Sequence, residues 1–399
     1  MMNETGTAVD GRREERIRRA LDHLRCGTTD QFGCTVGFRA GEYTDPGLAE
    51  RERELIFGRV PSIVAHSSEL ASPTDFVTVR MPRNNLIVVR QQDGGVKCLV
   101  NACRHRGAML ENQAAGSRRL FSCPYHRWSY DLDGKLRTVT RAATFGDLDP
   151  AEHGLVEVPS QERHGFIWVV DSAAAGIDVA AWLGPEMDEI LAGYDLGSLR
   201  CYRAREFDEP VNWKIMQDAF LDGYHIQYAH PNSAGKHIHT NVATFEDFGR
   251  HARWIALRKT IDRWLDTDPG DESLAGDVIE THFLLPNSTL LRQPDHFELL
   301  TFRPHPADPT RSVMAMRLLV PAREQTSMEP EAWQRRWEKN WDILIRVLYE
   351  EDFPLLRDSQ VAMGSRDAGP MLLGSNEVAN HIFRRELGRL LRPDAGPGS

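Results

Sequence analysis

Cys103-Arg104-His105 is followed, 17 residues later, by Cys123-Pro124-Tyr125-His126. Two Cys-plus-His pairs at this spacing require two loops to meet around one inorganic centre. Zinc would need the four side chains to converge tetrahedrally on a single ion. A Rieske-type [2Fe–2S] cluster instead takes both cysteines on one iron and both histidines on the other. The C-x-H and C-x₂-H spacings let one loop present both of its ligands without a helix, whereas zinc fingers usually set their histidine pair on one. Gly107 and Pro124 also suit loops whose backbone amides turn towards cluster sulfides. The cluster is the better fit, and structural zinc is the alternative.

The rest of the chain must house that centre and more. Its 399 residues suffice for two domains. A hydrophobic fraction of 41% and a charged fraction of 27% are those of an ordinary globular protein. With 48 Lys plus Arg against 58 Asp plus Glu, the net charge of −10 lacks the basic footprint of a nucleic-acid binder. A local basic patch could still dock a protein partner. The N-terminal stretch has no apolar segment of signal-peptide length, and no uncharged apolar run is long enough to span a membrane, so a cytoplasmic protein is expected. Six cysteines, Cys26, Cys34, Cys98, Cys103, Cys123 and Cys201, show no disulfide-framework spacing. Those outside the two pairs are expected to be packing residues.

Residues 12–25 carry Ile17, Leu21 and Leu24 at helical spacing. Short β-rich runs then occupy about 60–170, with hairpin signals at Asp93-Gly94 and Asp133-Gly134. A long helix from about Glu331 aligns Trp333, Trp337, Trp341, Leu344 and Leu348 on one face, read as core-facing. No internal repeat is visible, and the tail RPDAGPGS is expected to be disordered.

A second constellation lies in NWKIMQDAFLDGYHIQYAH, residues 212–230. On one helix Asp218, Asp222 and His225 fall at i, i+4 and i+7, on a common face, with His230 just past the helix end. Two histidines and one carboxylate hold ferrous iron while leaving positions open for O₂ and substrate. The third ligand is sought in Glu350-Glu351-Asp352, where Phe353-Pro354 breaks the long helix. The pattern does not choose among these acids, and a solvated acidic helix end is the plainer alternative. His237 and His239 are read as spare loop histidines.

The segment CRHRGAMLENQAAGSRRLFSCPYHRWSYDLDGKL resembles the cluster-binding region of Rieske non-haem iron oxygenase large (α) subunits, the aromatic ring-hydroxylating family. The similarity runs from roughly residue 50 to 390 and includes Pro286-Asn287, Arg303-Pro304 and GSNEVANHIFRREL. One departure is Arg127, where the family usually has glycine. The resemblance implies an α+β fold: a Rieske [2Fe–2S] β-sandwich domain plus a helix-grip (START-like) catalytic domain with an antiparallel sheet. The domains would be residues 1–55, an N-terminal helical segment packing on the catalytic domain; 56–175, Rieske; and 176–392, catalytic, with 393–399 as tail.

It also implies cluster ligands Cys103, His105, Cys123 and His126, and a mononuclear Fe(II) held by His225, His230 and Asp352. The last is chosen because the family's iron aspartate precedes a glutamine by eight positions, as Asp352 precedes Gln360. Asp222 would be the carboxylate bridging His225 to His126 of a neighbouring subunit in a head-to-tail homotrimer, with a small β subunit possible. Asn212, Trp213 and Lys214 match a structural NWK, Ala219 is a candidate substrate contact, and Asp218 is either a candidate contact near the iron or a partly buried structural acid. Electrons from NAD(P)H would arrive through a separate reductase, with or without a ferredoxin, since the chain has no dinucleotide fingerprint. The implied function is that of a terminal oxygenase using O₂ to hydroxylate a small, aromatic substrate. Monooxygenation or oxidative demethylation of a non-aromatic or N-/O-methyl substrate is the alternative, and a Rieske electron carrier or redox sensor the remoter one.

Overall fold

The computed structural model describes residues 8–270, 273–365, 367 and 369–392; the expected tail at 393–399 lies outside the described residues. The chain divides into two compact units. One is Glu50–Trp182 with Asp195–Arg200; the other is the chain up to Ala49 with Leu183–Tyr194 and Cys201–Arg392. The division falls a few residues from the expected 55/56 and 175/176. Ile56 and Phe57 are buried, and Phe57 O accepts from Asp171 N. Val179 N donates to Gln161 Oε1, which holds 176–182 with the first unit.

The first unit is a set of small antiparallel sheets. Five strands run in the order Glu157–Val158, Val96–Val100, Asn85–Arg90, Asp75–Arg80 and Ala115–Ser117. A three-stranded sheet orders Ser160–Arg163, Phe166–Val169 and Ser62–His66, and another orders Phe121–Ser122, Ser129–Tyr130 and Leu136–Thr138. Both expected hairpins form. Gly94 and Gly134 adopt left-handed φ of 87° and 83°, which a side chain would strain. One core cluster gathers Phe76, Ile87, Leu99, Phe121, Trp128 and Tyr130, and it includes Cys103 and Cys123. The cysteine pair is thus rooted in the core of the unit.

The second unit is built on a seven-stranded antiparallel sheet. Its order is Leu199–Glu209, Ser312–Pro321, Phe297–Pro304, Ser288–Arg292, Val278–Leu284, Ala252–Arg258 and Ile238–Asp247. The helix Trp213–Leu221 packs on its middle strands. Asn212 caps that helix: its side chain accepts from Lys214 N at 2.8 Å and donates to Tyr43 O and Pro309 O. Gln360 Oε1 accepts from Asn212 N at 2.8 Å. The helix Ala8–Cys26 lays Ile17, Ala20 and Leu21 against Val242, Ile255 and Leu257. Arg13 ties it further to the buried Glu280, which also pairs with Arg292 and Arg253. Burial opposes the Glu280 charge, yet the guanidiniums hold its carboxyl well below the usual range.

The helix Pro330–Val347 forms as expected, with Trp337 and Trp341 buried. The expected break at Phe353-Pro354 takes another form. A π-helical stretch, Leu348–Asp352, runs directly into the helix Phe353–Met363, and Pro354 sits in its first turn, where the missing N–H costs nothing. Cys98 is buried, but Cys26 and Cys34 are exposed, against the expected packing role. Cys26 is the last residue of its helix, off the Ile17–Leu21–Leu24 stripe.

Candidate metal centres

Two five-residue turns carry the first centre. Gly107 N donates to Cys103 O and Arg127 N donates to Cys123 O, at 2.8 and 3.0 Å. Gly107 and Arg127 close equivalent positions, both with left-handed φ, 73° and 60°. The departure at Arg127 is therefore an arginine in a conformation that favours glycine. His105 and His126 face each other with ring centroids 4.5 Å apart, and Trp128 stacks on His105 at 5.0 Å. Both Nδ1 atoms are buried without a hydrogen-bond partner, an exceptional state for a buried polar atom. Burial raises the Cys103 thiol pKa; the Tyr130 hydroxyl, 3.4 Å from Sγ, acts against this, and the adjacent Cys123 reinforces it. Two bare imidazole nitrogens and two crowded sulfurs that need a cation to stay ionised fit a Rieske cluster.

The second centre joins distant segments. The single helix expected to carry Asp218, Asp222 and His225 ends at Leu221. Asp222 is extended at its C-cap and a separate turn, Ile226–Ala229, follows. Asp218, Asp222 and His225 therefore do not share one helical face. The break at Asp222-Gly223 turns His225 and His230 towards the π-helical stretch. His225 Nε2 lies 3.3 Å from His230 Nε2, which lies 3.2 Å from Asp352 Oδ1. One ligand atom from each of these residues falls within 4.8 Å of the others.

The opposite ring nitrogens meet carboxylates. His230 Nδ1 is 2.6 Å from Glu351 Oε2, which Ser233 Oγ also reaches at 2.5 Å. His225 Nδ1 is 3.4 Å from Asp222 Oδ2, without the alignment of a hydrogen bond. The Glu351 carboxylate at Nδ1 fixes the His230 tautomer that points its Nε2 lone pair inward. This donor set fits a divalent iron with open positions. Sequence reasoning missed Glu351. Its adjacency to Asp352 was visible, but only the π-turn shows that the two acids serve opposite sides of one imidazole.

A cavity of about 510 Å³ opens beside this centre. Asp222, His225 and Asp352 line it, with Ala219, Phe220 and Trp254, and with Leu344 and Val347 of the long helix. Ala219 thus lies where a substrate contact was expected. Asp218 does not line the cavity. Its carboxylate takes Tyr43 Oη at 2.6 Å and Asn380 Nδ2 at 3.2 Å, with Arg384 at 3.5 Å. Burial raises its pKa even so. This network ties Asp218 to the N-terminal segment and the helix Val378–Leu390, which corrects the expected substrate contact. His237 lines the cavity, and His239 bonds Asp262 at 2.7 Å; neither joins the ligand set.

Residues 61–157 match the Rieske [2Fe-2S] domain, and residues 196–392 match the ring hydroxylating alpha subunit catalytic domain. The chain belongs to the Rieske oxygenase large-subunit family. It is 34% identical over 195 residues to the anthranilate 1,2-dioxygenase large subunit of Acinetobacter baylyi, covering 48% of this chain and 41% of that one. To the carnitine monooxygenase oxygenase subunit of Acinetobacter pittii it is 31% identical, covering 48% and 52%. To the glycine betaine monooxygenase oxygenase subunit of Chromohalobacter salexigens it is 28% identical over 341 residues, 75% of each chain. The first two alignments thus span about half the length of those relatives. Among solved structures, a quaternary ammonium Rieske monooxygenase in complex with L-carnitine superposes with a TM-score of 0.73 at 21% identity, covering 89% of this chain and 96% of that one. Naphthalene 1,2-dioxygenase with indole bound gives 0.69 at 20%, covering 91% and 93%. These likenesses establish the shared fold. Among the described residues, no helix is long and apolar enough to cross a membrane.

Proposed function

We propose that this chain is a terminal oxygenase component that monooxygenates a small N-methylated ammonium compound and thereby releases the methyl group. The observation that carries it is the two-histidine, one-carboxylate centre opening on a cavity. Relatives acting on carnitine and glycine betaine support the ammonium substrate. The aromatic hydroxylation expected from the family resemblance is the second reading, favoured by the likeness to anthranilate dioxygenase. In the net reaction, one oxygen atom enters a methyl C–H bond. The other leaves as water, using two electrons and two protons from a reductase partner. The resulting carbinolamine then loses formaldehyde.

Iron bound at the ligand triad would supply O₂ activation, and the cluster would supply electrons. The protein's own residues do the rest. Glu351 orients the His230 imidazole, Ser233 steadies Glu351, and Asp222 stands 3.4 Å from His225 Nδ1. The apolar cavity wall excludes water from the reacting methyl group. In a head-to-tail homotrimer Asp222 would also accept from His126 of the partner subunit, joining the two centres. Incubating the reconstituted enzyme with a reductase, ¹⁸O₂ and N-methyl substrates should release labelled formaldehyde. A cis-dihydrodiol from an aromatic panel, without formaldehyde, would replace this reading with the second.

A further inference from the structure

The cavity wall contributed by the sheet contains a group that the iron centre does not use. Trp254, Thr281, Leu291 and Glu298 are successive cross-strand neighbours, and all four line the cavity. Glu298 thus places a carboxylate in a wall whose neighbouring positions include Leu300 and Met316. It is 8% exposed, and burying a charge there is costly unless it is paired.

Its partners leave a one-sided surface. His296 Nε2 is 3.2 Å from Glu298 Oε1, and His296 Nδ1 is 2.7 Å from Asp295 Oδ1. With a carboxylate oxygen at each nitrogen, the ring serves as a double donor, the imidazolium. Gln293 Nε2 donates to the same Oε1 at 3.3 Å. His296 spends both of its donors, and Gln293 one of its two, within the cluster. Glu298 Oε2 and Gln293 Oε1 remain open as acceptors, since no donor among the described residues bonds either. Asp295, His296 and Glu298 together carry one net negative charge, and Arg336, which also pairs with Asp295, is half exposed on the solvent side.

We propose that Glu298, held by His296 and Gln293, is the specificity-determining anchor of this cavity, and that it accepts a hydrogen bond from a protonated amine on the substrate. The proposal rests on reading the cavity as the substrate site, and it narrows the ammonium class to cations that retain an N–H. A charge-assisted bond to a carboxylate in a low-dielectric wall is the strong kind. A quaternary ammonium has the charge but no donor, and an anion would meet the Glu298 carboxylate at this position.

Calorimetry on the anaerobic holoenzyme at neutral pH tests this with four probes of similar shape: benzyldimethylamine, benzyltrimethylammonium, isobutylbenzene and phenylacetate. Benzyldimethylamine should bind at least about tenfold tighter than isobutylbenzene, with benzyltrimethylammonium between them and phenylacetate weakest. In Glu298→Gln, the amide oxygen must stay at the His296 side, so the amide NH₂ replaces Oε2. The amine preference should then vanish and phenylacetate should gain. An unchanged ranking in that variant, or a wild type that prefers the neutral or anionic probe, overturns the anchor. The wild-type ranking stands as a test even where the variant fails to fold. Formaldehyde release is scored separately: its persistence with no amine preference would remove the anchor and leave the demethylation reading standing.

Discussion

The two metal-binding regions treat the same side chain in opposite ways. In the cluster loops, His105 and His126 keep Nδ1 bare and buried. At the iron site, His230 turns Nδ1 to the Glu351 carboxylate, while His225 Nδ1 lies 3.4 Å from Asp222 without a hydrogen bond, and both leave Nε2 facing the centre. His296 extends the series, with a carboxylate at each nitrogen and no atom left to ligate. His230 likewise has an acid at each nitrogen, Glu351 and Asp352, but its Nε2 also meets His225 Nε2 in the ligand set, whereas neither nitrogen of His296 meets another ligand. The regions differ in assembly as well. The cluster site lies within 24 residues, Cys103 to His126, on two turns of a β core. The iron site needs His230 to meet a segment 121 residues further on.

The largest effect should come from removing a long-range ligand. Asp352→Ala should empty the iron site and lower turnover by about 10³-fold or more while the Rieske EPR signal persists; retention of both irons would separate Asp352 from the centre. Asp222→Ala should keep both metals yet lower coupled turnover by roughly 10²–10³-fold. Single-turnover kinetics with a pre-reduced cluster would read this, and full activity would end the bridging role. Glu351→Gln should weaken iron binding or activity about 10–100-fold, measured by titrating ferrous iron into apoprotein, and an unchanged affinity would show that one carboxylate at Nδ1 is dispensable.

Much of this division follows from how each region is encoded. A turn that closes in five residues leaves its ligands beside one another in the chain, so Cys103, His105, Cys123 and His126 could be read directly. Hairpins at Gly94 and Gly134 were visible for the same local reason. The helix over Trp213–Leu221 was visible in outline, but its end at Asp222 was not, because tertiary contacts at the ligand turn override helical periodicity. Asp352 could be chosen only through the family spacing to Gln360. The roles of Glu351, Asp218 and Glu298 depend on what lies across the fold, and no local pattern marks them.

Two smaller effects sharpen the histidine series. Burial disfavours charge on His296, but its bonds to Asp295 and Glu298 outweigh that and raise its pKa from 6.5 to about 9. Its contribution to stability should be full below pH 6.5 and lost as pH rises through about 9. The loss should be about 3 kcal/mol, read by urea unfolding of wild type against His296→Gln. Identical pH profiles would remove the imidazolium. Arg127→Gly should relieve the left-handed backbone and stabilise the first unit by about 1 kcal/mol, seen as a raised Tm, whereas an unchanged or lower Tm would mean the arginine side chain offsets the strain.

One chain would hold a cluster through its bare Nδ1 atoms and a separate iron through Nε2 atoms. Metal and sulfide analysis with EPR, on anaerobically purified wild type and Asp352→Ala, tests it most directly. About three irons per chain with a reduced Rieske signal are expected, falling to about two with the signal intact in the variant. Zinc in place of iron, or an iron count unmoved by the substitution, would contradict it.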